Sequence, residues 1–187
     1  MQKGTLSLLH YLYLFLMQLV LAAIQMAALV MQFAFGEIPC PLCLLQRAAM
    51  FGVSFGIIRD FRNGFSSRNA GLSMIFALFL LIVSVRQTLL DIYPRPGHEY
   101  IGSAVLGLHM PVWSVLIAVA LLFAFALKLA LLGEDDDLTP LKKFPALARA
   151  ANLLSLWIVL LCFVNFASVV LQCGPGPCHT FEYRLLK

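Results

Sequence analysis

The chain has 187 residues, 61% of them hydrophobic and only 12% charged, with a net charge of +4 and a mean hydropathy of +0.92. Soluble domains run about 45–50% apolar and about 25% charged, so this composition excludes a water-soluble domain and is that of an integral membrane protein. No phosphate loop, nucleotide fingerprint or Ser/His/Asp arrangement is visible, and nothing points to a nucleic-acid partner.

Five apolar stretches follow one another, at residues 8–32, 44–58, 71–90, 112–132 and 153–171. A hydrocarbon core of about 30 Å needs about 20 apolar helical residues. Four of the stretches meet that directly. The second is short, because Arg47 and then Arg59-Asp60 bracket its apolar part, and it spans only if its Cys40–Cys43 end lies in the interface. The runs are long, continuous and not alternating, so helices are expected rather than barrel strands. The first run, after Lys3, exceeds the length of a signal-peptide core and lacks a small-x-small cleavage site, so it reads as a retained span. The expected fold is all-α integral membrane: a four-helix transmembrane bundle plus a fifth transmembrane helix. It forms one domain over 1–187, ending in a tail at 172–187.

Orientation follows from the positive charges. Lys3, then Arg59, Arg62 and Arg68, then Lys142, Lys143 and Arg149 mark the amino terminus and the 59–70 and 133–151 loops as cytoplasmic. The 33–43 loop has no Lys or Arg, the 91–111 loop has Arg95 alone, and the tail carries Arg184 and Lys187. Five spans place the carboxyl tail outside. Both close-spaced cysteine pairs, Cys40-Pro41-Leu42-Cys43 and Cys173-Gly174-Pro175-Gly176-Pro177-Cys178, then lie on the same non-cytoplasmic face. In bacteria that face is the oxidising periplasm, where disulfides persist.

Four cysteines at aqueous edges suit thiol–disulfide exchange better than packing. Pro41 fixes the backbone between the first two sulfurs and suits a helix start. Cys43 then falls in the first turn of the second span, where the helix dipole favours a thiolate. Arg47 lies one turn deeper on the same face. An arginine at membrane depth is costly and needs a reason, such as a bound anion, a thiolate or a polar cofactor. The bland alternative is a structural staple at Cys40 and Cys43, with Arg47 snorkelling to the interface. For the second pair, Gly-Pro-Gly-Pro supplies the reversal a bridge requires. A terminal structural clip remains open there, as does zinc held by Cys173, Cys178 and His179, although no second ligand group of matching spacing is present.

These residues resemble a known family. Cys40-Pro41-Leu42-Cys43-Leu44-Leu45-Gln46-Arg47 looks like the start of the second span in the DsbB family of bacterial inner-membrane, quinone-dependent disulfide-generating proteins. The likeness continues in Arg86-Gln87-Thr88-Leu89-Leu90-Asp91-Ile92-Tyr93-Pro94, and in Gly107-Leu108-His109-Met110-Pro111-Val112-Trp113. Together these motifs cover about residues 8–130. The resemblance implies a bundle carrying ubiquinone or menaquinone near Cys43 and Arg47. It also implies a periplasmic DsbA-like thioredoxin-fold partner whose electrons pass through a second cysteine pair to Cys40 and Cys43, with no metal. Cys43 is then the thiolate donor to the quinone ring, and Arg47 holds the quinone.

The chain departs from the family pattern twice. The 91–111 loop, where members usually carry the second pair, has no cysteine; Cys173 and Cys178 on the tail are expected to replace it. Of these, Cys178 lies further from the membrane and is the slightly more accessible, and which of the two forms the mixed disulfide stays open. Gln87 stands near where some members place a quinone-contacting histidine, and it is expected to donate a hydrogen bond to the quinone but not to carry a proton. Elsewhere Cys162 is read as a small hydrophobe and Glu134–Asp137 as solvated loop. Tyr93, Tyr100 and Trp113 read as interfacial aromatics, and Tyr100–Leu108 as a short interfacial helix over the quinone headgroup. His98 and His109 are candidate proton carriers. Two readings stand: a quinone-linked dithiol oxidase, and a non-catalytic membrane scaffold stapled by its disulfides.

Overall fold

The computed structural model describes residues 3–93, 104, 106–132, 139–174, 176, 178 and 183. Five helices account for the apolar stretches: α1 (Lys3–Ala34), α2 (Pro41–Asn63), α3 (Ser67–Ile92), α4 (Met110–Leu132) and α5 (Pro145–Cys173). Each is long and apolar enough to cross a membrane. The protein is a multi-pass, all-α membrane protein, and its surface carries the large apolar side chains that a lipid-facing surface requires, among them Leu16, Phe79, Phe123 and Phe163. Cys162 is exposed on α5 among such residues, in keeping with a small hydrophobe.

Hydrogen bonds between distant segments fix the up-and-down order of the helices. At one end the Thr139 amide, preceding α5, donates to Ser7 Oγ at the start of α1 (3.0 Å). Lys128 near the end of α4 meets Asp60 near the end of α2. At the other end Gln172, in the last turn of α5, donates to the Pro39 carbonyl just before α2 (2.8 Å). Helix α2 packs most extensively on α3 and α3 on α4, while α5 lies against α1 and α2.

The second span is longer than its apolar run suggested. Helix α2 does not stop at Arg59-Asp60 but continues to Asn63, because Asp60 turns into the bundle and is only 1% exposed. Its carboxylate accepts from Lys128 Nζ (3.1 Å) and from Asn69 Nδ2 (2.9 Å), which removes the cost of carrying an unpaired charge inward. Lys128 Nζ also lies 4.0 Å from the centre of the Phe65 ring. The expected 59–70 loop shrinks to Gly64, Phe65 and Ser66. Gly64 leaves the helix at φ +84°, a conformation that glycine takes without strain, and Ser66 caps α3 by accepting from the Arg68 amide (3.3 Å).

Helices α2 and α3 approach closely along Gly52 and Gly56. A Cβ on Gly52 would enter the Phe76 ring, and one on Gly56 would meet Ser73 Oγ and stand 2.9 Å from the Asn69 carbonyl. Small residues one turn apart are how membrane helices bring their backbones together. This contact pairs the second half of α2 with the first half of α3, and the antiparallel pair runs on to the end where the first cysteine pair meets Gln87.

Candidate dithiol site at the mouth of the bundle

The first pair sits at the start of α2. Cys40 is the residue before the helix, extended at φ −70° and ψ 161°, and Pro41 opens the first turn. Cys40 Sγ accepts from the Cys43 amide at 3.1 Å, so the sulfur takes the place a serine oxygen holds in an ordinary helix cap. Neither sulfur is bonded to another: the pair is a dithiol, with Cys40 buried and Cys43 partly open. Hydrogen bonding to Cys43, together with burial, pushes the Cys40 thiol well above the usual thiol range, so Cys40 keeps its proton.

Gln87, from the last turns of α3, is buried and aims its amide nitrogen at both sulfurs, 3.3 Å from Cys40 and 3.4 Å from Cys43. Its orientation is set by a chain of directed bonds. Ser114 Oγ on α4 shares its one proton between Gln46 Oε1 and the Met110 carbonyl (3.2 Å each), and Gln46 Nε2 donates to Gln87 Oε1 (2.9 Å). With its oxygen occupied, the Gln87 amide can present only N–H to the sulfurs. Sequence reasoning put Gln87 on the cofactor; the structure brings it to the two thiols. Gln46 was not singled out, although a glutamine three residues after Cys43 on the same helix face was a legible signal.

Arg47 does not snorkel outward. Its Nη1 donates to Gln32 Oε1 and to Asn165 Oδ1 (3.4 Å), and its Nη2 donates to the Ala28 carbonyl (3.0 Å). Gln25 Nε2 donates to the Arg47 carbonyl at 2.9 Å. Gln18, Gln25 and Gln32 recur at seven-residue intervals on α1, and all three are buried. Such a stripe on an apolar helix marks a polar face turned toward neighbours, and the last two of its members meet Arg47.

Beside these residues lies a cavity of about 450 Å³, lined by Cys43, Gln46, Arg47, Trp113 and Ser114 and closed mainly by apolar side chains such as Ile24, Met31, Met50 and Ile117. Its size falls in the range of small-molecule sites, and a few polar groups set in an apolar wall suit a flat, mainly apolar ligand with a polar edge. Cys40 and Gln87 do not line it; they stand behind Cys43.

The second pair is a disulfide, Cys173–Cys178. Its two sulfurs are bonded to each other rather than left to a metal, and His179 lies outside the described residues. Cys173 is 7% exposed, whereas Cys178 is more open. The bond from Gln172 to the Pro39 carbonyl joins the residues that precede the two pairs, so both pairs occupy one end of the bundle. His109 is exposed just before α4, and its carbonyl accepts from the Val112 amide (3.0 Å). Trp113 borders the cavity and Tyr93 is 79% exposed at the end of α3. His98, Tyr100 and most of the expected 100–108 helix lie outside the described residues, as do Arg95, Glu134–Asp137, Arg184 and Lys187.

No curated protein and no solved structure matches the chain. Residues 10–100 match the family model described as Disulfide bond formation protein DsbB, a segment that contains Cys40, Cys43, Arg47 and Gln87. Over that segment the chain is similar to the DsbB family of disulfide bond formation proteins, and its second cysteine pair, joined as a disulfide, lies beyond it on the tail after a fifth helix.

Proposed function

We propose that the protein is a protein-dithiol:quinone oxidoreductase of a bacterial inner membrane, which reoxidises a periplasmic DsbA-like thiol oxidoreductase. The distribution of Lys and Arg supports a cytoplasmic amino terminus and a periplasmic tail. The observation that carries the reading is the shared wall of Cys43 and Arg47 in one largely apolar cavity at the end of the bundle that also holds the tail disulfide.

The cavity fits a ubiquinone or menaquinone headgroup. Arg47 offers polar hydrogens at its wall and Ser114 a hydroxyl oxygen, Trp113 offers an aromatic face, and the apolar remainder suits the ring and the start of an isoprenoid chain. Such a quinone supplies an acceptor for two electrons and two protons. The protein's own chemistry is thiol–disulfide exchange. A partner thiolate attacks Cys178, the Cys173–Cys178 bond breaks, and a mixed disulfide forms. The second partner thiol resolves it, so the partner leaves as a disulfide and the tail holds two thiols. Those thiols reduce a Cys40–Cys43 disulfide by the same exchange, restoring the tail bond and leaving the dithiol seen here. Oxidation of that dithiol gives up two electrons and two protons and closes the cycle. Cys40 retains its proton until then, and Cys43 faces the cavity. Gln87 holds an N–H against charge that develops on either sulfur, and Arg47 orients the acceptor.

The test is anaerobic. Purified protein is mixed with a reduced DsbA-type partner and a soluble ubiquinone analogue, and quinone absorbance is followed for the wild type, Cys43→Ser and Arg47→Met. Quinone loss that requires the partner and Cys43, and that falls about 10–100-fold in Arg47→Met for one lost charged hydrogen bond, is the expected result. Absence of quinone loss across several quinones and partners would favour a scaffold stapled at its outer end.

A further inference from the structure

Arg47 is tied to the tail as well as to the cavity. Gln32 is 2% exposed, and its amide is used on both sides. Its Oε1 accepts from Arg47, and its Nε2 donates to Ser168 Oγ (3.2 Å) and to Tyr183 OH (2.8 Å). Ser168 spends its own proton on the Asn165 carbonyl (3.0 Å), so it faces Gln32 as an acceptor. Two acceptors on the nitrogen side decide which way the amide points. Turned over, Gln32 would set its N–H groups against the guanidinium, donor against donor. Tyr183 supplies one of those two acceptors from outside the helices.

We propose that Tyr183 is a positioning residue that transmits the state of the Cys173–Cys178 pair to Arg47 through Gln32. This goes beyond the oxidase reading, and its consequence for quinone rests on that reading. Tyr183 lies five residues past Cys178, a stretch that spans at most about 18 Å. Cys178 is bonded to Cys173, which is itself anchored beside Gln172 and its bond to the Pro39 carbonyl. With the ring closed, Cys178 is held beside Cys173 and Tyr183 reaches Gln32. When a partner thiol opens the ring, Cys178 is released from Cys173 and the tether on Tyr183 lengthens from five residues to the ten that follow Cys173. Gln32 then keeps Ser168 as the single acceptor on its nitrogen, and its Oε1 is held less firmly against Arg47. A guanidinium held less firmly by protein acceptors gives a larger share of its hydrogens to a ligand in the cavity. The cavity therefore grips its acceptor harder while the tail is reduced, and releases it more readily once the tail disulfide has reformed.

Two readouts on full-length protein in detergent test this. In quinone-free protein, phenylglyoxal modification of Arg47 is followed by peptide mass spectrometry, with the exposed Arg62 and Arg68 as internal references. Tyr183→Phe and the pair Cys173→Ser/Cys178→Ser should each speed Arg47 modification by a similar factor, and combining all three should add nothing. In parallel, Kd for a short-chain ubiquinone analogue should tighten about fivefold in the same variants, again without addition in the combination. Unchanged Arg47 modification in Tyr183→Phe, or effects that multiply in the combined variant, overturns the coupling. If no variant binds the quinone probe while Arg47 modification still shifts, the coupling stands and the quinone reading falls. Quinone binding that is equal in all variants, with unshifted modification, leaves the quinone reading intact and removes the role of Tyr183.

Discussion

At the scale of single residues, Gln87 separates two kinds of contribution that look alike in sequence. A polar side chain near the end of the third span suggests a ligand contact, and the family resemblance pointed to the quinone. Its geometry points to sulfur. Gln46 donates to Gln87 Oε1, and the Gln87 amide nitrogen donates to Cys40 and Cys43. Gln87→Leu removes that donor without removing a wall of the cavity. Oxidation of the dithiol should slow by about tenfold or somewhat more, since a hydrogen bond to a charged group contributes about 1.5–3 kcal/mol. KM for the quinone analogue should stay within about twofold of wild type, a range that corresponds to less than about 0.5 kcal/mol. Steady-state kinetics at varied quinone concentration decide it. A large rise in KM with little change in kcat would return Gln87 to the ligand.

At the scale of elements, helix packing explains both what hydropathy reveals and what it hides. The spans are legible because bilayer thickness imposes a long apolar run on each helix. Which polar residue meets which is not legible, because the partners are far apart in sequence. Asp60 and Lys128 are 68 positions apart, and Arg47 and Asn165 are 118 apart. Asp60 looked like the end of a span because a charge normally marks one; Lys128, arriving from α4, makes the charge tolerable inside. Lys128→Met should therefore destabilise the fold by about 3–5 kcal/mol, by leaving Asp60 buried and unpaired. Adding Asp60→Asn should recover most of that loss, because the amide oxygen still accepts from Asn69. Retention of folded protein after heating in detergent reads both variants, and a double variant no better than the single one would rule out pairing as the reason. The α2–α3 contact makes a second claim. Gly56→Ala places a methyl against Ser73 Oγ, which is held by its bond to the Val53 carbonyl (3.1 Å), and against the Asn69 backbone. A loss of about 1–3 kcal/mol is expected from such overpacking. Gly71 in α3 meets nothing within 4 Å, so Gly71→Ala should be neutral or stabilising by up to about 1 kcal/mol in the same assay. Equal behaviour of the two glycines would remove the close approach as a structural requirement.

At the scale of the whole molecule, an odd number of spans returns the tail to the end of the bundle that holds the first cysteine pair. With no cysteine in the 91–111 loop, a second pair can reach the first only if the chain crosses once more, and α5 makes that crossing. The parity was legible from charge and hydropathy alone. The seam between α5 and the rest was not, since it depends on Gln172 meeting a backbone carbonyl and on Asn165 meeting Arg47. Under the proposed function this arrangement would divide the work between an outer pair open to a protein and an inner pair open to a small molecule or to the outer pair. Cys40 is buried and Cys43 opens mainly onto the cavity, whereas Cys178 is the more open sulfur of the tail. Removing the tail pair should therefore discriminate by reductant size. In Cys173→Ser/Cys178→Ser protein, oxidation of a DsbA-type partner by quinone should fall to background. Oxidation of a small dithiol, which can enter beside Cys43, should continue at a rate within about tenfold of wild type, equivalent to no more than about 1.4 kcal/mol in the barrier. Parallel assays with the two reductants at equal thiol concentration make the comparison. If partner oxidation is unchanged, the tail disulfide is a staple and the partner meets Cys40–Cys43 directly; if both reductants fail together, the tail supports the inner site rather than feeding it.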